Sequence, residues 1–397
     1  MTRSVDHTFR RIVWPFAIAE IVVWAAFYYS FPALLPEWER SMGWSKTELA
    51  GAFTSALVVS ALGAPFVGRL VDRGMARAVF TGSAVLGSAC LALLSLVSEL
   101  WQFYIVWLGI GFAMSGALYE ACFAIITRSV GERNKQAITL ITLVGGLAGT
   151  VAFPTAHTLV GFIGWQGAVL VFAGASLFIA VPFIWYGCGH ANAYAKSLEP
   201  PSIEKLPASR KTMSSPVFWL LAFAFTAIAL EHGMVLTHML PIMADRGIDT
   251  QAAVFAAAMI GPMQVTGRLA MMAAERHVSM SAIAIGCFLA MGAAAISLLG
   301  ASGIAVLVIT FVILHGAGYG VTSIMRPVIT AEFMGKQNFG AVSGLLALPF
   351  MLGFAISPTL AAFIWKAGGY DLVLQFAIAI TALGLAAFIL AGKLARP

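Results

Sequence analysis

The chain has 397 residues, 60% of them hydrophobic and 10% charged, with a formal net charge of +6 and a mean hydropathy of +0.91. A soluble domain carries about 25% charged residues and cannot hide this much apolar surface, so soluble enzymes and nucleic-acid-binding modules are set aside and the lipid bilayer is the expected partner. Cys90, Cys122, Cys188 and Cys287 are scattered without paired or metal-ligand spacing, which removes disulfides, zinc and thiol chemistry.

The opening "MTRSVDHTFRRIVWPF" leads into an apolar segment too long for a signal-peptide core and without a small-residue cleavage site. Divided at its turn and charge clusters, the chain gives twelve apolar segments of about 20 residues, the length that spans a bilayer as a helix. They are 12–35, 47–68, 78–98, 101–127, 136–160, 165–187, 216–241, 251–274, 278–299, 303–330, 338–364 and 370–392. With the N-terminus inside, every Lys and Arg except Arg40, Lys46, Arg246 and Lys366 falls on the inner side or on an inner helix end. That asymmetry predicts a multi-pass protein of a bacterial-type inner membrane with both termini cytoplasmic, and accounts for the basic charge without a nucleic-acid partner.

The one long polar connection, 188–215, is rich in Pro and Ser and reads as a cytoplasmic linker between bundles 1–187 and 216–397. The halves repeat. "AGTVAFPTA" (148–156) returns as "LGFAISPTL" (352–360), each with Gly-x4-Pro-Thr at an offset of 204, and Gly131 pairs with Gly335 at the same offset. Parallel six-helix repeats are a recurring transporter plan. The expected fold is all-α: twelve membrane helices in two pseudo-symmetric six-helix bundles.

After the second segment comes "GRLVDRGMAR" (68–77). It resembles the loop signature of the major facilitator superfamily at Gly68, Leu70, Asp72 and Arg73, keeps the trailing base as Arg77, and brings Gly74 one place early. Gly68 is expected to permit close helix approach, and Asp72, Arg73 and Arg77 to pair with helix ends at a conformational switch. "SFPALLPEWERSMGWSKTELAGAFTSALVVSALGAPFVGRLVDR" (30–73) and "LYEACFAIITRSVGERNKQAITLITLVGGLAGTVAFP" (118–154) resemble the monocarboxylate-transporter-like and oxalate/formate-antiporter-like branch. That branch's acidic signature in helix one is reduced here to Glu20 and Trp24, without its glycines. In the superfamily the resemblance implies that helices one, four, seven and ten line the cavity.

Charges at membrane depth cost about 2.5–3.5 kcal/mol each on insertion scales, so they face a cavity or a partner. Five stand out: Glu20, Glu120, Glu231, Arg268 and Arg326. Arg268 lies seven residues before Glu275, roughly 10 Å inside its helix end at 1.5 Å per residue. The branch resemblance makes it the carboxylate-binding residue, and a planar fork suits a carboxylate through two parallel hydrogen bonds; an interhelical pair or a snorkelling residue is the alternative. One turn earlier, where animal members of the branch carry an aspartate, stands Gln264. On helix ten His315, Tyr319, Thr322 and Arg326 follow i, i+4, i+7, i+11 and share a face, with Arg326 either assisting the anion or marking the helix end.

Glu120 shares a helix-four face with Gly109, Ala113 and Gly116. It is read as a proton acceptor, as a gate partner of Arg326, or as half of a fixed pair. On helix seven Glu231 and His238 share a face, with His232 about 100° away; Glu231 is the expected proton site, and His232 and His157 are read first as ordinary hydrogen-bonded histidines. Glu20, Trp24, Phe27 and Phe31 form an i, i+4, i+7, i+11 face with Tyr28 beside it, an aromatic wall carrying one acid. No phosphate-binding loop, zinc-protease or dinucleotide motif occurs, so neither catalysis nor a cofactor is expected. The reading is a monomeric secondary transporter of a small organic anion, a mono- or dicarboxylate, coupled to protons by alternating access. A proton-coupled exporter of amphipathic cations or neutral compounds is the alternative.

Overall fold

The computed structural model describes residues 2–130, 133–195, 213–335 and 339–395, and of residues 2–8, Asp72, Glu120, Arg128, Lys135, 192–195 and 339–341 the backbone alone. Two compact units divide the chain, 1–201 and 202–397. The first holds α1 (2–42), α2 (Lys46–Leu70), α3 (Ala76–Leu94), α4 (100–129), α5 (134–163) and α6 (165–195). The second holds α7 (216–245), α8 (Thr250–Ala274), α9 (Met280–Leu299), α10 (Ala305–Met334), α11 (339–367) and α12 (370–395). Among the described residues nine apolar stretches are long enough to cross a membrane, and the two longest, of 56 and 54 residues, are hairpins of two helices each. Those hairpins break at Gly164 (φ 70°) and at Gly368–Gly369, where Gly369 has φ 71°. With α8, whose glutamines and Arg268 lower its hydropathy, they make twelve.

Helix starts follow local chemistry. Ser45 and Glu48 close a reciprocal capping box on α2, Asp249 accepts from Gln251 and Ala252 at the start of α8, and Ser279 caps α9. Ends run further than hydropathy alone indicates. The last turns of α1 carry Glu37, Glu39 and Arg40, which pair among themselves and with Lys46. Helix α6 continues to Ala195, past residue 187, because "CGHANAYA" has no proline and its three alanines offset the single glycine. The remaining part of the expected linker, 196–212, lies outside the described residues. Of the bases expected on the outer side, Arg40 pairs with Glu37 at 2.7 Å, Lys46 with Glu39, and Arg246 with Asp371.

The 204-residue offset reappears in packing. In the first unit Tyr29 packs on Gly149 and, at 6.2 Å between centroids, on Phe153. In the second, Gly233 packs on Ser357, while Gly353 takes Thr226 and Leu230. Each of the pairs Tyr29/Gly233, Gly149/Gly353 and Phe153/Ser357 is separated by that offset, so in both bundles the fifth helix meets the first at matching positions.

The core of the first unit is aromatic: Phe31 stacks on Phe53 at 4.2 Å and meets Trp107 edge-on at 5.0 Å. That of the second is built on Phe218, Phe225, Phe288, Met291, Met325 and Phe388.

The α2–α3 turn corrects one expectation. A methyl group on Gly68 would meet no atom within 4 Å, so this glycine serves no close approach; Gly74, at φ 85°, is the one the turn requires. Gly74→Ala is expected to lower the thermal midpoint in detergent by the equivalent of about 1 kcal/mol, whereas Gly68→Ala is expected to be neutral or slightly stabilising. Equal midpoints for the two variants would show that the left-handed turn is not held in the protein.

Candidate functional site

The densest polar cluster of the second unit is buried where α7 meets α10. Glu231 and His315 are 0% and 1% exposed, and His315 Nδ1 lies 3.3 Å from Glu231 Oε1. On the other edge of the ring, His315 Nε2 is 3.0 Å from His232 Nδ1. Carboxylate, imidazole and imidazole thus form a row. Tyr319 stacks flat on His232 at 3.2 Å and 6°, Phe354 flanks the same ring at 6.3 Å, and Phe311 closes on His315 at 5.2 Å. The Glu231–His315 approach is short enough for an ion pair but is not aligned as a hydrogen bond, and neither Glu231 oxygen has a donor among the described residues. A bare carboxylate here would cost several kcal/mol of desolvation. One proton shared between Glu231 and His315 would leave the pair without net charge.

Arg268, 6% exposed, sits at the crossing of α8 with α10. Its Nε donates to the carbonyl oxygen of Gly320 at 2.8 Å. The helices come this close because methyl groups on Gly267 or Gly320 would overlap the backbones of Ala317 and Gln264, and one on Gly316 would overlap Met263. Gln264 is buried at the same crossing. Arg326 lies further along α10, its guanidinium 3.6 Å above the Phe350 ring on α11, a cation–π contact. Thr322 bonds back to its own helix at Tyr319 O. Along the helix-ten stripe, His315 and Tyr319 meet α7, while Arg326 lies closest to Phe350 of α11 and 6.0 Å from the Phe225 ring of α7.

In the first unit α1 is interrupted by a π-helical turn over Trp24–Tyr29. Such a turn adds one residue and shifts the face that follows. Consequently Trp24 is joined by Tyr28 (5.4 Å), Tyr29 (6.5 Å) and Tyr119 (4.8 Å), while Phe27 packs on Gly87 and Phe31 on Phe53. The expected wall of Glu20, Trp24, Phe27 and Phe31 is thereby corrected to Trp24 with three tyrosines. Helix α4 breaks at Leu118, φ −105° and ψ −171°, immediately before Tyr119, whose hydroxyl end lies against Gly145. Glu20 is fully buried and interacts with the Cys122 thiol.

Some expected partners are placed elsewhere. His238 is 0% exposed and occupied at both nitrogens, by Tyr370 Oη at 3.2 Å and Pro358 O at 3.0 Å, where it fastens the bend of α7 to α11 and α12. His157 is exposed. Arg73 is exposed, and Arg77 rests on Trp185. The Asp72 and Glu120 side chains lie outside the described residues, and with them the expected Glu120–Arg326 pair. Tyr29, Tyr119 and Cys122 enter the sites without a sequence signal of their own, and His232, read as an ordinary hydrogen-bonded histidine, has His315 as its partner. Among the described residues no group of three His, Cys, Asp or Glu side chains is arranged to hold a metal.

Twelve apolar helices that shelter acids, histidines and arginines define a polytopic membrane transporter rather than an enzyme. The family model of the Major Facilitator Superfamily matches residues 16–296, and the chain belongs to that superfamily. A curated relative, the "Uncharacterized 38 kDa protein in 23S RNA operon" of Thermoproteus tenax, is 29% identical over 157 residues, 39% of this chain; the match spans 41% of that relative's length. A solved structure similar in fold is that of a bacterial homolog of the human lysosomal transporter Spinster, in an inward-facing and occupied conformation. It aligns over 98% of this chain and 97% of its own with a TM-score of 0.67 and 13% identity.

Proposed function

We propose that this transporter carries a small organic anion, a mono- or dicarboxylate, together with protons, as a monomer working by alternating access in a bacterial-type inner membrane with both termini cytoplasmic. The observation that carries the coupling is the buried Glu231–His315–His232 row, a site for one proton that costs little only while that proton is present. Arg268 is the proposed anion group, a permanent charge buried in the same unit. The pairing of Arg40, Lys46 and Arg246 with nearby acids supports the orientation. The sequence stretches 30–73 and 118–154 support a monocarboxylate-transporter-like branch.

The test is thermal stabilisation of the purified protein by small carboxylates and by amphipathic cations at two pH values. A ligand at a hundredfold excess over its Kd adds about 2.7 kcal/mol by mass action. Stabilisation by one carboxylate class, lost in Arg268→Gln, is the expected result. A second reading, an exporter of amphipathic cations, is favoured by one observation: the Trp24, Tyr28, Tyr29 and Tyr119 rings near a buried acid. Stabilisation by cations alone, undiminished in Arg268→Gln, would transfer the function to it.

A further inference from the structure

Away from both buried sites, a cavity of about 330 Å³ opens between α3 and α6, lined by Arg77, Trp185, Tyr186, Gly189 and His190. Helices cross alternately, so the end of α2, the start of α3 and the end of α6 share one membrane face. Arg77 lies flat on the Trp185 indole, its guanidinium carbon 3.4 Å from the ring centroid. Its Nε is buried without a hydrogen-bond partner among the described residues. Gly189 leaves room for the fork: even a methyl group there would stop 3.6 Å from a guanidinium nitrogen. His190 Nδ1 is 3.0 Å from the Tyr186 carbonyl, with the two rings 4.2 Å apart. That fixes the imidazole and leaves Nε2 for the cavity. A planar guanidinium is the donor that phosphate oxygens take, and beside it His190, whose Nδ1–H is committed to the Tyr186 carbonyl, adds a second donor at Nε2 in its imidazolium form.

The surroundings narrow the source of the phosphate. Trp185 and Tyr186 are about half exposed, and Phe178 and Ile179, one to two turns deeper on the same helix, are exposed as well. On α3 the outward residues below Arg77 are Gly82, Val85 and Leu86. The polar cavity therefore opens at its inner edge onto an apolar, lipid-facing strip running along both helices, with a Trp–Tyr pair at the boundary, where such residues mark the headgroup level. A free anion has no use for that strip; a phospholipid does. We infer that the Arg77–Trp185–His190 cavity is a binding site for the headgroup phosphate of an anionic phospholipid, with acyl chains along α3 and α6. The proposed orientation decides only the leaflet, the cytoplasmic one; the site itself is independent of the transport reading.

Native mass spectrometry of the full chain released from mixed micelles reads this directly. The wild type is expected to retain one phosphatidylglycerol in about fivefold preference to phosphatidylcholine, the scale of one basic residue near a lipid surface. Arg77→Gln and His190→Gln are each expected to lose that preference, and millimolar inorganic phosphate to leave it in place. Should Arg77→Gln fail to fold, His190→Gln at the rim carries the comparison. Equal retention of both lipids by the wild type, or an unchanged preference in His190→Gln, overturns the site. Displacement by inorganic phosphate overturns the lipid assignment and leaves an anion pocket.

Discussion

Glu231→Gln is expected to abolish accumulation driven by a pH gradient in proteoliposomes, by about 10²-fold or more, the range typical of losing a positioned proton-transfer group. Exchange of labelled for unlabelled substrate, which moves no net proton, is expected to continue. The amide keeps the volume of the carboxyl between α7 and α10 but cannot take up or release a proton. Stability moves the other way from activity. Removing a buried carboxylate that has no donor among the described residues relieves desolvation, so the variant is expected to unfold no earlier than the wild type. In that variant a neutral amide faces an imidazole that can itself be neutral; His315→Ala differs, because it leaves the carboxyl buried without its ion-pair neighbour among the described residues, and stranding a buried charge costs about 3–5 kcal/mol. Full pH-driven uptake by Glu231→Gln would remove the row from the coupling mechanism.

Gly320→Ala carries the second large effect, and here packing decides. In a helix interior the exchange gains about 1 kcal/mol of propensity, and that is the expected sign for Gly344→Ala on α11, where a methyl group would meet nothing within 4 Å. At Gly320 the same methyl overlaps the Gln264 backbone, which cannot rotate aside as a side chain does. Overpacking of this kind costs about 1–3 kcal/mol, and moving α8 away also stretches the bond from Arg268 Nε to the Gly320 carbonyl. A fall in the detergent unfolding midpoint for Gly320→Ala, against no fall for Gly344→Ala, is the outcome that checks the crossing. Similar midpoints would mean that the helices do not pack so closely.

The number of helices and the transporter fold follow from hydropathy and repeat, because a membrane demands long apolar helices and punishes exceptions. Charged residues at depth are conspicuous for the same reason, which is how Glu231, His315, Tyr319 and Arg268 came forward from sequence. His232 did not. Adjacent residues point about 100° apart on an isolated helix, so the pair 231–232 looks divided; α10 approaches so that His315 reaches both. The aromatic set of α1 is misread for a different reason. A π-helical turn in "WAAFYY" leaves no mark in the spacing of apolar residues, yet it turns Tyr28 and Tyr29 to where Phe27 and Phe31 were expected. His238 is misread because helical spacing puts it on the Glu231 face, whereas it sits at the bend of α7, outside helical geometry, and turns to Tyr370 and Pro358, both distant in sequence.

In the anion role proposed for Arg268, its bond to Gly320 bears on speed as much as on recognition. An anion gripped across the Nε edge of the fork has to displace a carbonyl already in place at 2.8 Å. Hydrogen bonds to charged groups are worth about 1.5–3 kcal/mol net, so this exchange weakens the complex by about ten- to a hundredfold relative to an unoccupied guanidinium. Most such weakening appears in the dissociation rate. A carrier that must let go of its cargo in every cycle gains from an arginine with somewhere else to put its proton donor.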